Sequence, residues 1–341
     1  MGLVNRLKQI FHKRIFLDYA SATPVLWRVQ WEMLRYATWD FYNPNAIYSE
    51  GVRARDVVDE CRTKIARILG IGKEGIVFTS GGTEANTWAV RGVGEGRIII
   101  DTESHPSVID AAKGLKTSIL TSEAPLLLKK DVVLVSSIAP DNKLGRQVRE
   151  WRKKKASELP LMHIDASQSA QYFEIGMEGL ACDLITLDGA KFYGPKGVGV
   201  LAMRRGVKLN LPPMGTPAVP LIVGFTKALE IAVKDREVEH ARLSKLSDMF
   251  VEGIQVKYPE ISITQTLPNI VNVSVPNVLP EFLVLALDKA GLMVSAGPAC
   301  NSNKPEPPET PVRFSFGRPT TEKDIQEAIK ILCLTLQNVL K

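Results

Sequence analysis

The 341-residue chain has few of the residues on which disulfide-bonded, metal-binding and membrane-spanning proteins depend. It contains four cysteines and four histidines, all far apart, so neither a disulfide framework nor a zinc-ligand spacing is present. Sparse cysteines and the lack of a secretory hydrophobic segment indicate a reducing, cytoplasmic setting. The longest apolar runs, such as residues 282–287, are too short to cross a bilayer. We therefore expect a protein with no metal site and no membrane span.

A strong charge of one sign is also missing. There are 43 Lys and Arg residues against 37 Asp and Glu residues, a formal net charge of +6. The excess is spread along the chain instead of forming a basic stripe with aromatics, which argues against nucleic-acid binding. A mild positive field can still attract small anions. The apolar share of 45% is ordinary for a globular protein, and the length suggests about two domains.

Short apolar runs alternate with helical patterns from about residue 55 onward. Such alternation predicts an α/β fold with a mostly parallel sheet, covered by helices on both faces, and with ligands at the carboxyl ends of its strands. After a proline-rich turn at 212–220, a long helical pattern over 221–256 leads into a smaller α+β region. The predicted strands cover 76–79, 97–101, 132–136, 161–165, 184–187 and 197–203.

We expect four segments along the chain. Residues 1–14 form a basic amphipathic extension, either a helix docked on the protein's own surface or a contact for a membrane surface or partner. Residues 15–50 join the small domain. Residues 51–225 form the large domain, and residues 226–341 form the small C-terminal α+β domain.

A glycine turn stands between a predicted strand and a predicted helix in TSGGTEAN, residues 79–86. Glycine lets the backbone come close to an anion, and the first N–H groups of a helix can bind it. The turn is neither a Walker loop nor the dinucleotide fingerprint. A phosphate site and a plain tight turn between strand and helix both remain open.

Four further residues carry possible chemistry. Asp165 ends a strand in HIDASQSA and is either a site carboxylate or a helix cap. Lys191 stands among small residues in LDGAKFYGPKG, where it is either a partly desolvated nucleophile for carbonyls or a surface lysine. Cys300 lies in a small, polar loop that indicates exposure, whereas most cysteines are buried and inert. Arg313 could clamp a carboxylate or form a surface ion pair.

The order of these motifs resembles the cysteine desulfurase and selenocysteine lyase family. The resemblance extends through FLDYASATPV (16–25), NPNAIYSEGVRAR (43–55) and LPNIVNVSVP (267–276), and so covers nearly the whole chain. These are class V, fold type I enzymes that use pyridoxal 5'-phosphate (PLP). The resemblance implies a mostly parallel sheet of seven-stranded type between helices, a smaller α+β domain and a homodimer with shared active sites.

The resemblance also implies a role for each motif position. Lys191 would bind PLP covalently and move a proton, Asp165 would pair with the pyridine nitrogen, and Cys300 would be the mobile nucleophile. His105 would stack on the ring and transfer protons, and Gln168 and Asn142 would bond to the ring oxygen. Gly82 and Thr83 would contact the phosphate, and Thr216 would contact that of the other subunit. Arg313, together with Asn142, would bind the substrate carboxylate.

The implied reaction converts L-cysteine to L-alanine. It leaves a persulfide on Cys300, which would pass to a sulfur-acceptor protein for iron–sulfur cluster assembly or tRNA thiolation. One alternative is a selenocysteine lyase or another class V enzyme, although amino-group transfer would need no thiol. A second alternative is a catalytically weak scaffold homodimer.

The sequence departs from the family pattern in four places. The family has Ser-x-His before the lysine, where this chain has Asp188 and Ala190. A carboxylate beside a phosphate dianion is repulsive unless it is protonated, turned away or paired with a cation. We therefore expect weaker PLP binding, or a rearranged phosphate site in which Asp188 bonds to backbone or to a partner chain. The segment 208–216 is short and lacks a family arginine, the proline-rich 303–311 cannot form a helix, and Tyr48 replaces a common histidine.

Overall fold

The computed structural model describes residues 14–121, 125–138, 140–212, 215–297 and 311–340. Internal contacts divide the chain into two compact units. Unit 1 comprises residues 1–22 and 237–341, and unit 2 comprises residues 23–236. The expected extension at 1–14 lies outside the described residues except for Arg14.

Strands and helices alternate through most of the described residues. The strands are β1 (Ile15–Phe16), β2 (Ile76–Thr79), β3 (Arg97–Asp101), β4 (Lys116–Leu120), β5 (Val132–Ser137), β6 (Leu161–Asp165), β7 (Leu184–Asp188), β8 (Gly199–Met203), β9 (Ser262–Leu267), β10 (Ile270–Ser274), β11 (Leu292–Met293), β12 (Ser295–Ala296) and β13 (Val312–Ser315). The helices are α1 (Trp27–Thr38), α2 (Ser49–Leu69), α3 (Gly82–Arg91), α4 (Pro106–Ala111), α5 (Lys143–Lys155), α6 (Val219–Gln255), α7 (Pro280–Lys289) and α8 (Glu322–Val339).

Unit 2 contains a seven-stranded sheet with the order β2-β8-β7-β6-β5-β3-β4. Strand β8 is antiparallel to both of its neighbours, and the other adjacent pairs are parallel. Every residue of β5 and β6 is buried, as expected for parallel strands covered on both faces. The predicted mostly parallel sheet is thus confirmed, and the carboxyl ends of β5, β6 and β7 share one edge.

Two apolar clusters cover the two faces of this sheet. Ile99 of β3 packs in one cluster with Ile65 of α2, whereas Ile98 and Ile100 pack in the other with Ala85 of α3. Successive strand residues point to opposite faces, so this alternation places α2 and α3 on opposite sides. The sequence does not predict the edge strand β4, because Lys116, Thr117 and Ser118 are polar and leave only Ile119 and Leu120 as apolar residues of this strand.

The division of the chain differs from the expected boundaries at two places. We expected residues 15–50 to join the small domain, but 23–50 lie in unit 2. Helix α1 buries Val29 completely in the core of that unit, which explains the placement. We also expected the small domain to begin at residue 226, whereas unit 1 resumes at 237. Residues of α6 as far as Ala232 are buried in the core of unit 2.

Unit 1 has the expected α+β composition. Its antiparallel sheet has the order β12-β13-β10-β9, and β1 pairs in parallel with β11. The Phe250 ring lies 4.8 Å from that of Phe314 and 5.5 Å from that of Phe316. Thr321 caps α8 in a capping box with Asp324. Among the described helices of the whole chain, none combines the length and apolar character needed to span a membrane.

Candidate active site

The glycine turn brings the start of α3 against the ends of two central strands. Gly81 has φ +155°, a backbone conformation that side chains rarely allow. A Cβ on Gly82 would lie 3.1 Å from the Asp188 Cβ and 3.3 Å from the Ser167 hydroxyl oxygen. Asp188 ends β7, and Ser167 follows β6 by two residues. Only a residue without a side chain fits here unless these neighbours shift.

Asp165 is a buried carboxylate held by two hydrogen bonds. Its Oδ2 accepts from the Asn86 side-chain amide at 2.7 Å, and its Oδ1 accepts from the Ser167 backbone N–H at 3.0 Å. Asn86 lies on α3 and is 1% exposed. The two bonds fix the direction of the carboxylate at the end of β6.

The same asparagine connects Asp165 to His105, which caps α4. The Asn86 amide donates to the Ser107 hydroxyl at 2.9 Å, and that hydroxyl lies 2.7 Å from His105 Nδ1. The Ser107 backbone N–H also donates to His105 Nδ1, at 3.1 Å. A backbone N–H can only donate, so Nδ1 is the acceptor and the ring proton lies on Nε2. His105, Ser107, Asn86 and Asp165 thus form one hydrogen-bonded chain.

Lys191 lies on a 3-10 turn (Gly189–Lys191) directly after β7, and it is half-buried. The Gln171 side chain donates to the Lys191 carbonyl oxygen at 2.6 Å. The Thr23 hydroxyl donates to the Ala190 carbonyl oxygen at 2.9 Å. Asp188 Oδ1 accepts from the Ala190 N–H at 3.0 Å, which is the bond to backbone that we considered for this residue. The backbone around the lysine is therefore fixed from three directions.

Buried His163 supports the strands below this edge. One ring nitrogen lies 2.9 Å from the Ser136 hydroxyl, and the other lies 3.0 Å from that of Thr186. Complete burial lowers the pKa of His163 to about 4, although the nearby Asp165 charge acts in the opposite direction. The ring is therefore neutral at physiological pH and bridges β5, β6 and β7.

The remaining predicted residues of unit 2 have varied surroundings. Gln168 is half-buried, and Thr83 is exposed on the first turn of α3. The Asn142 amide donates to the Gly179 carbonyl oxygen at 3.0 Å. Thr216 is exposed in the segment before α6.

Arg313 and Cys300 belong to unit 1. Arg313 forms an ion pair with Asp18 at 3.1 Å and donates to the Ser21 hydroxyl at 3.0 Å. Its Nε atom is buried without a hydrogen-bond partner. Cys300 lies outside the described residues.

Comparison with known proteins places the chain in a family. The sequence profile of class V aminotransferases matches residues 15–214 and 214–328. The chain belongs to the class V aminotransferase family. It is 30% identical to cysteine desulfurase IscS of Dictyoglomus turgidum, over 94% of each chain. It is 32% identical to cysteine desulfurase IscS 1 of Archaeoglobus fulgidus, over 93% of this chain and 95% of that one.

A solved structure described as a NifS-like protein extends the likeness to three dimensions. It superposes with a TM-score of 0.84 at 26% identity and covers 95% of this chain and 100% of its own. The resemblance to the cysteine desulfurase family and the aminotransferase-type α/β fold are both confirmed.

The side chains of unit 2 fit PLP, the cofactor of this family. The buried Ser167 hydroxyl has no partner and lies beside Gly82 at the N-terminus of α3, and helix N-termini are suited to binding phosphate. The fixed Asp165 carboxylate suits a protonated pyridine nitrogen. The sequence analysis does not single out Asn86, Ser107 or Gln171, although Asn86 lies inside the TSGGTEAN motif. Their roles depend on neighbours distant in sequence.

Proposed function

We propose that the chain is a PLP-dependent cysteine desulfurase, which converts L-cysteine to L-alanine and leaves the sulfur as a persulfide on Cys300. One observation supports this most strongly: a lysine directly after β7 shares its sheet edge with a fixed carboxylate and a glycine turn. The Asp188 side chain lies against the place where a Cβ on Gly82 would be. Ser167, two residues after Asp165, lies against the same place. A carbonyl-reactive amine, a carboxylate and an anion site are the three groups that PLP needs.

The residues that would hold PLP each have a defined part. The Lys191 amine would take the aldehyde, Asp165 would accept from the pyridine N–H, and the first N–H groups of α3 with Ser167 would take the phosphate. Gln168 and Asn142 would bond the ring oxygen, and the His105 ring would lie over the ring face. When bound, PLP supplies a ring that stabilises negative charge at the substrate Cα.

The chain's own groups then move the protons and the sulfur. Arg313 would bind the substrate carboxylate, while Lys191, freed by the substrate amine, takes the Cα proton. The Cys300 thiolate attacks the substrate sulfur, so that an S–S bond forms and the C–S bond breaks. The electron pair of the C–S bond stays with the substrate Cβ, which takes up a proton. Lys191 returns a proton to Cα, and the product leaves as alanine. Atoms and electrons balance without any external oxidant or reductant.

A homodimer completes this proposal. Several large apolar side chains on and after α1 are exposed to solvent. Such side chains are candidates for burial in an interface. A second copy of the chain would bury them, and Thr216 would reach the partner's phosphate. The exposed side chains are Trp27 (70% exposed), Trp31 (71%), Trp39 (67%), Phe41 (67%) and Ile47 (95%).

The persulfide would pass to a sulfur-acceptor protein, either an iron–sulfur scaffold or a tRNA-thiolation protein. The reducing cytoplasm expected from the few cysteines would keep the Cys300 thiol reactive. Cys61, Cys182 and Cys333 are buried, and burial raises the pKa of each thiol, to about 12 for Cys182. They are therefore poor nucleophiles compared with an exposed thiol.

Two substitutions test the proposal. Lys191→Ala should remove the visible absorbance of bound PLP, because no amine remains to hold the aldehyde. Cys300→Ser should keep that absorbance and abolish cysteine-dependent sulfide and alanine release. Cys333→Ser is the matched control, since this buried thiol should not affect release. Sulfide release by Cys300→Ser at the wild-type rate would exclude the persulfide route.

A catalytically weak scaffold homodimer is the second candidate. The observation that favours it is the Asp188 carboxylate beside the anion site. Protein that stays colourless on addition of PLP would support this candidate over the enzyme.

A further inference from the structure

The anion site at the start of α3 already contains a carboxylate. The Oδ2 atom of Asp188 lies 3.2 Å from the position of a Cβ on Gly82, the first residue of this ten-residue helix. Its Oδ1 atom accepts from the Ala190 backbone N–H, which fixes the side chain in this position. The Asp188 carboxylate is therefore held in a fixed position beside the start of α3.

A second group points to a ligand at the same place. Ser167 is 8% exposed, and its buried hydroxyl has no hydrogen-bond partner. This hydroxyl lies 3.3 Å from the same Gly82 Cβ position. A buried hydroxyl without a partner is costly unless a ligand or water completes it. The helix N-terminus and the hydroxyl favour an incoming anion, whereas Asp188 opposes it.

We propose that Asp188 is a specificity-determining residue that weakens the preference of this site for a phosphate group. The inference rests on the proposed function, because it concerns the phosphate of PLP. Two like charges in contact repel each other, and the repulsion is stronger where the charged groups are shielded from water. Asp188 also lies beside the first residue of α3, the helix whose N-terminus would stabilise the phosphate. The phosphate group should therefore add less binding free energy in this chain than in a variant with a neutral residue at position 188.

Equilibrium binding of PLP and of pyridoxal, which lacks the phosphate, tests this inference. The measured quantity is the ratio of the two dissociation constants, obtained by absorbance titration of the apo protein. Asp188→Asn removes the charge and keeps the shape and the acceptor for the Ala190 N–H. Asp188→Ser removes the charge with a smaller side chain. In both variants we expect the preference for PLP over pyridoxal to rise by about tenfold or more, with pyridoxal affinity nearly unchanged.

Asp131→Asn is the matched control. Asp131 precedes β5 at the opposite end of the sheet, where it pairs with Arg97 at 3.1 Å. Loss of this surface charge should leave the ratio unchanged. An unchanged or lower PLP preference in both Asp188 variants would overturn the inference.

The failure of this inference can be told apart from the failure of the proposed function. If PLP binds in a Lys191-dependent way but the ratio does not move, only the inference fails. If the wild type binds PLP poorly and both Asp188 variants bind it well, the inference is supported. If wild type and variants alike bind neither compound, both proposals fail.

Discussion

Replacement of Asn86 by alanine should destabilise unit 2 and loosen its central carboxylate. The Asn86 amide donates to Asp165 at 2.7 Å and to Ser107 at 2.9 Å, and both bonds are buried. A bond to a charged group contributes about 2 kcal/mol and a neutral one about 1 kcal/mol, so Asn86→Ala should cost about 3 kcal/mol of unfolding free energy. The side-chain Oδ1 atom of Asn86 has no hydrogen-bond partner, so its loss adds no penalty.

Urea denaturation followed by circular dichroism measures this loss. Thr87→Ala is the matched control on the same helix, because the Thr87 hydroxyl bonds only to the Thr83 carbonyl oxygen within α3. We expect the control to change the free energy of unfolding by about 0.5 kcal/mol or less. The hydrogen-bonded chain would be refuted as a stabilising element if the two variants were equally stable. Weaker PLP binding by Asn86→Ala should accompany the loss, because Asp165 keeps only its bond to the Ser167 N–H.

Two further predictions concern buried charges and pH. Asp183 is fully buried and pairs with Arg152 and Arg204, both at 2.9 Å, so Asp183→Asn should cost about 3 kcal/mol or more in urea denaturation. Glu178→Gln, which breaks an exposed pair, should cost about 1 kcal/mol or less, and an equal loss would contradict the argument. Because burial lowers the pKa of His163 to about 4, stability should fall as pH drops from about 6.5 towards 4, by up to about 3 kcal/mol. His163→Gln should flatten this part of the pH profile. An unchanged profile would refute the attribution of the loss to His163.

The sequence predicts the large sheet well because its buried strands carry continuous apolar runs. Strands β3 and β6 match their predicted bounds residue for residue. The edge strand β4 has no such run, since edge positions are exposed on one side. Residues 23–50, which include α1, belong to unit 2 and not to the small domain expected from the sequence, because an amphipathic pattern does not reveal which core a helix packs against.

The candidate site likewise contains some residues that the sequence could predict and others that it could not. Asp165, Lys191 and the glycine turn could be predicted as candidates because each lies at the end of a recognisable strand or directly after it. Asn86 and Gln171 could not, because their partners lie far along the chain and only the fold brings them together. The contact of Asp188 with Gly82 likewise depends on how β7 packs beside α3. A motif therefore identifies candidate residues, and the fold decides which of them contact each other.

The most direct test of the account locates PLP on the chain. Borohydride treatment of the PLP-loaded protein fixes the cofactor to the lysine that carries it, and peptide mapping by mass spectrometry then identifies that lysine. The account predicts PLP on the peptide that contains Lys191, and none on any peptide of Lys191→Ala. PLP fixed to a different lysine, or no fixed PLP on the wild type, would contradict it.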